Sequence, residues 1–186
     1  MTYMWNACAS TPTRRSWPLS SATPPLAALP TVPALARLFA RATLHTWHED
    51  SLVQDAELIV SELTGNAVAA SSDTDGRPVY VDGRMPVIRV YLLTDGVHLL
   101  IKVFDQAPGI PVLREATEDE EIGRGLILVN AIAEKWGWKP AKGQPGKVVW
   151  AQMSLLGDRV GAATAPVRNE PDNGILARVR DALRYL

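Results

Sequence analysis

Residues 87–104 read VIRVYLLTDGVHLLIKVF. Two β-rich runs, Val87 to Leu93 and Val97 to Phe104, flank Thr94-Asp95-Gly96. An Asp-Gly step between apolar runs is a strong hairpin signal. In the second run His98 and Lys102 alternate with Leu99, Ile101 and Val103, so one face should be more exposed than the other. The sheet is therefore at least partly antiparallel. A doubly wound nucleotide fold is excluded, because its strands alternate regularly with helices.

Two helical patterns precede the hairpin. Pro33 suits a first helical turn. Leu35, Leu38, Phe39 and Ala42 follow at helical spacing, with Arg37 and Arg41 on the other side, and the pattern ends near Trp47. The second helix starts at Ser51 and Gln54, which form a capping-box pattern. Its apolar stripe is Val53, Ala56, Val60, Leu63, Ala67 and Ala70, and it stops at Ser71-Ser72-Asp73. A loop rich in Asp, Gly and Pro runs on to Pro86.

Beyond the hairpin, residues 105–122 are irregular and end in Glu118-Asp119-Glu120-Glu121. That acidic run reads as a solvated segment. Gly123-Arg124-Gly125 opens a third helix, with Leu126, Val129, Ile132 and Ala133 inward, ending at Trp136-Gly137. A loop holding Gly143, Pro145 and Gly146 leads to a last strand, Lys147 to Met153. The expected fold is an α/β two-layer sandwich. Its sheet is mixed and largely antiparallel, with helices on one face.

Residues 1–30 carry Pro12, Pro18, Pro24, Pro25 and Pro30 among small polar residues. Such a stretch buries too little to offset its ordering entropy, so a disordered tail is expected. The ordered domain is then 31–156. Residues 157–186 read as linker plus a short amphipathic helix with Leu176, Val179, Leu183 and Leu186 as its stripe.

The chain has 186 residues, 47% of them hydrophobic, enough for one domain with a real core. A formal net charge of −1 gives nucleic acid or an anionic membrane no electrostatic support. Cys8 is the lone cysteine, which rules out a disulfide framework and fits a reducing, cytoplasmic setting. No run approaches the roughly 18 apolar residues that a spanning helix needs.

Three short stretches could carry chemistry. Glu62 and Asn66 lie four apart on one helix face, beside the buried stripe. The Asn carbonyl can meet a hard cation, and the Glu can orient or deprotonate a hydroxyl near it. Two solvated flank residues are the plain alternative. Asp105 to Gly109 (Asp-Gln-Ala-Pro-Gly) ends a hydrophobic strand. Its carboxylate could accept from an amine such as adenine's, and Gly109 allows close backbone approach; an ordinary turn is the plain alternative. Gly123-Arg124-Gly125-Leu126 offers free N–H groups and a positive helix end, a ready phosphate site, though a lone GxG is a weak signal. His45, His48, Glu49 and Asp50 read as a solvated helix end rather than a metal site.

Order and spacing say more than each stretch alone. SELTGNAV at 61–68, FDQAPG at 104–109, GRGLILV at 123–129 and GKVVW at 146–150 together resemble the GHKL ATPase superfamily. The similarity is greatest to the small anti-sigma-factor serine/threonine kinases and their bacterial regulatory relatives. It spans roughly residues 31–155. The resemblance implies a Bergerat-type ATP-binding fold with ATP and Mg2+ as cofactors. It implies Glu62 as general base, Asn66 as the Mg-binding residue and Asp105 as the adenine reader. Gly109 would be the second glycine of that box. Gly123 and Gly125 would contact phosphate, with Arg124 and Leu126 beside them, and 110–122 would form a short lid. Partners implied are a sigma factor or an anti-anti-sigma-type protein, and a homodimer is compatible with the family.

Three departures stand out. Ala107 replaces a usual glycine. Gly65 interrupts the Glu62–Asn66 helix, which weakens it by about 1 kcal/mol relative to Ala. Val148 stands where many relatives have Thr. Three functions are therefore open: a protein serine/threonine kinase that also sequesters a sigma factor, a non-catalytic ATP-dependent switch, and an interaction module without nucleotide.

Overall fold

The computed structural model describes residues 19–109, 111 and 124–155. The expected C-terminal helix, most of the lid and Gly123 lie outside the described residues.

Among the described residues six strands form one sheet. They are β1 (Leu19–Ala22), β2 (Leu26–Ala27), β3 (Val87–Thr94), β4 (His98–Asp105), β5 (Lys135–Pro140) and β6 (Lys147–Ser154). The order is β1-β3-β4-β6-β5, with β2 also pairing β3. Every pairing among these strands is antiparallel. Among the described residues three α-helices pack with it, α1 (Val32–Thr46), α2 (Val53–Ala70) and α3 (Arg124–Ile132). The two-layer sandwich expected from the sequence is the observed architecture.

The hairpin forms as its turn chemistry dictates. Gly96 takes φ +84, and the Asp95 carboxylate accepts from the N–H groups of Val97 and His98 at 2.9 and 2.8 Å. Side chains alternate cleanly from there. Ile88, Val90 and Leu92 of β3, Leu99, Ile101 and Val103 of β4, and Val149, Ala151 and Met153 of β6 join the core beneath the helices. Leu93, Leu100 and Trp150 form a separate cluster on the opposite face of the sheet.

Four expectations are corrected. The region expected to be a tail already holds β1 and β2, and Ala28 is fully buried. These strands are held by backbone pairing to β3, from Leu19 opposite Thr94 to Ala22 opposite Tyr91. Their side chains bury little, so no apolar period announces them.

In α1 the leucines expected inside are outside. Leu35 is 47% and Leu38 61% exposed, while Val32, Ala36, Ala40, Thr43 and Leu44 are buried. Small residues let α1 sit close to its neighbours. Arg37 and Arg41 then bond α2, the first to Ser61 Oγ at 2.8 Å and the second to Glu57 Oε1 at 2.6 Å.

The capping box at Ser51 is not formed. Asp50–Leu52 make a 3-10 turn, and the N-cap of α2 is Leu52, without a side-chain cap. Finally, α3 stops at Ile132, and Lys135–Pro140 is strand β5 instead of helix. Trp136 and Trp138 lie on its core side, with Trp136 Nε1 donating to Asn130 Oδ1 at 3.0 Å. Two tryptophans spaced by two fit a strand facing the core.

Candidate functional site

Glu62 and Asn66 lie one turn apart on α2, Glu62 half-buried and Asn66 exposed. The buried stripe beside them is Ile59, Val60, Leu63, Thr64 and Ala67. Thr64 sits in the core because its hydroxyl donates to the Val60 carbonyl, a bond that satisfies a polar group inside a helix. Gly65 has open space around it, with nothing within 4 Å of where a Cβ would stand.

Gly125 lies in the first turn of α3, and α3 packs on α2. A Cβ on Gly125 would run into the Glu62 carboxylate, at 3.2 Å from Cδ and 3.4 Å from Cβ of that residue. Two sequence motifs separated by some sixty positions are thus in direct contact. Absence of a side chain at 125 is what allows the helix end to close on the carboxylate. Leu126 next to it is buried and belongs to the core, so its part in the site is to anchor α3.

Asp105 ends β4 and is 1% exposed. Its Oδ1 accepts from the Ala107 N–H at 3.0 Å and from Lys147 Nζ at 2.7 Å. Lys147 is its direct neighbour across the β4–β6 ladder and is also buried. The same ammonium donates to the Ala107 carbonyl at 3.1 Å. Burial pushes the Asp105 carboxyl above its ordinary pKa, while Lys147 and the Ala107 N–H pull it back. Gly146 precedes the lysine with φ +112, and a Cβ there would stand 2.8 Å from Gln106 Cα and 3.0 Å from the Asp105 carbonyl carbon. Only glycine permits so close an approach. Gly109 follows with φ +91.

Sequence reasoning missed Lys147 and named Val148 instead. Val148 alternates out of the core row, pairing with Phe104, whereas Lys147 shares the row of Val149, Ala151 and Met153. The signal was present: a lysine in the inward set of a buried strand needs an acid partner, and Asp105 ends the adjacent strand.

Among the described residues no group of three or more His, Cys, Asp or Glu could hold a metal ion. His45 bonds Asp50 at the helix end, and nothing there resembles a metal cage. A magnesium ion fits Asn66 by a different logic. Mg2+ keeps its waters and binds through one or two protein oxygens plus substrate phosphates. An exposed amide carbonyl on α2, one turn from a carboxylate, suits that role.

No described helix is long and apolar enough to cross a membrane.

An antiparallel sheet with helices on one face is the architecture of an α/β sandwich of the ATPase-domain type. A family model for the histidine kinase-like ATPase domain matches residues 26–153, more than half of the chain, and the chain belongs to that family. Membership supports ATP binding and a regulatory role. A search of the curated proteins returned no match.

Proposed function

We propose that the protein is a Mg-ATP-dependent serine/threonine kinase of the anti-sigma-factor type, acting on an anti-anti-sigma-type partner. The single observation that carries this reading is the contact between Glu62 and Gly125. It sets a carboxylate against the glycine turn that is suited to receive phosphate.

In this reading Asp105 accepts from the adenine amine. The start of α3, with Gly125, faces the triphosphate, and Asn66 offers its carbonyl to Mg2+. The metal, when bound, offsets the negative charge between the phosphates. Glu62 orients the acceptor hydroxyl of the partner and takes its proton as the γ-phosphoryl group leaves ATP. Phosphoryl transfer relies mainly on positioning and electrostatics, so one well-placed base suffices. Sequestration of a sigma factor by the same domain belongs to this proposal.

The test is transfer of labelled γ-phosphate from ATP to an anti-anti-sigma-type substrate. Glu62→Ala is expected to retain ATP binding and to lose transfer by about a hundredfold or more, as for loss of a general base. Unchanged transfer in that variant removes Glu62 from the role. ATP binding without transfer to any such protein favours the non-catalytic switch instead.

A further inference from the structure

The buried lysine beside Asp105 has no part in the proposal above. Its position on β6 is that of an apolar residue: the rest of the inward row is Val149, Ala151 and Met153. Two of its three ammonium donors have acceptors, Asp105 Oδ1 at 2.7 Å and the Ala107 carbonyl at 3.1 Å. A lysine ammonium has three donors and no acceptor. The close approach of Gly146 to Asp105 and Gln106 holds this end of β6 against the end of β4.

Together Asp105 and Lys147 present an acceptor and a donor side by side. Adenine presents the complement along one edge, the N6 amine as donor next to ring N1 as acceptor. We infer that Lys147 is a base-reading residue, its ammonium donating to N1 of adenine while Asp105 accepts from the N6 amine. This inference rests on the ATP reading of the site and goes further by naming a second side chain that selects the base.

The physical case has two parts. A buried carboxylate reading an amine alone would leave N1 facing protein without a donor, and an unpaired buried acceptor is penalised. A carboxylate alone in this site would also be an uncompensated buried charge, whereas the pair keeps the site neutral before the base arrives. Sites built to hydrogen-bond a substrate group reject analogues that lack it, because the site's own polar group is then left unpaired.

The test compares Mg-ATP with its 1-deaza analogue, in which ring N1 is replaced by C–H, by calorimetry on the full chain. Wild type is expected to bind the 1-deaza analogue about tenfold or more weakly, the effect of losing one charge-assisted hydrogen bond. Lys147→Met is expected to bind Mg-ATP more weakly and to lose most of the preference for it. The wild-type comparison needs no variant, so it stands even where Lys147→Met fails to fold. Equal affinity of wild type for the two nucleotides overturns the inference while leaving ATP binding intact. So does a preference that persists in Lys147→Met, or tighter Mg-ATP binding by that variant. No binding of Mg-ATP by folded wild type overturns the nucleotide reading, and this inference with it.

Discussion

Gly125 lies against the carboxylate of Glu62, so close that a methyl group at 125 would stand 3.2 Å from Glu62 Cδ and nearer still to Oε2. The contact joins the α2 motif to the start of α3. It makes the geometry of the acid depend on a residue with no side chain.

Gly125→Ala therefore acts through Glu62. The neighbour met is the far end of a flexible side chain, so the fold survives while the carboxylate moves. Under the proposed kinase function, transfer activity is expected to fall by about tenfold to a hundredfold, the penalty for a misplaced base. The same substitution in a Glu62→Ala background is expected to have no further effect on transfer. Steady-state kinetics of the two single variants and the double variant check this. An additive loss contradicts it.

Gly65 is the opposite case. It sits inside α2 with nothing within 4 Å of where a methyl group would stand. Gly65→Ala is expected to raise stability by about 0.5–1 kcal/mol, because glycine loses more backbone freedom in a helix than alanine does. Urea unfolding followed by circular dichroism measures it. A lowered midpoint contradicts the open space seen here.

How much of this was legible in the sequence differs by element. Turn chemistry at Asp95-Gly96 and a long apolar period in α2 announced the hairpin and the middle helix. The first helix misled because its period could be read on either face: Leu35 and Leu38 outvote Ala36 and Ala40 on hydrophobicity, yet the alanines allow the closer packing and are buried. Strands β1 and β2 were invisible, since backbone pairing leaves no mark on side-chain pattern. At the candidate site, motif order pointed to Glu62, Asn66, Asp105 and Gly125, whereas the Asp105–Lys147 pair needed the register of β4 against β6.

Asp105 and Lys147 should behave as one unit. Both are buried, with side-chain exposures of 1% and 8%. Asp105→Asn alone leaves the lysine as an uncompensated charge and is expected to destabilise the fold by about 3–5 kcal/mol. Adding Lys147→Met removes that charge and is expected to recover most of the loss. A thermal or urea double-mutant cycle gives the coupling directly. Additive losses would mean that the two groups do not compensate each other.

Lys102 predicts a rise of stability with pH. It projects from the sheet face that carries Trp150, its direct cross-strand partner. Burial first, and Lys139 second, lower its pKa from 10.5 to about 8. Between those values the unfolded chain holds a proton that the folded chain has released, so stability rises as pH increases from about 8 towards 10.5. Below that window the buried charge opposes folding. Lys102→Met should flatten the rise and should stabilise the protein at pH 7 by up to about 3 kcal/mol, at about 1.4 kcal/mol per pKa unit. Urea titrations between pH 7 and 10 on both proteins check the slope. Equal slopes contradict it.

The ATP-binding part of the proposed function depends above all on Asp105 lying in one site with Glu62, Asn66 and Gly125. Its most direct test is a Mg-ATP titration of wild type beside Asp105→Asn and Asp105→Asn/Lys147→Met, with circular dichroism to show which are folded. Wild type is expected to bind, and every folded variant lacking the carboxylate to bind at least about tenfold more weakly, the effect of one lost charge-assisted hydrogen bond. Unchanged affinity in a folded variant, or no binding by folded wild type, would contradict that placement of Asp105.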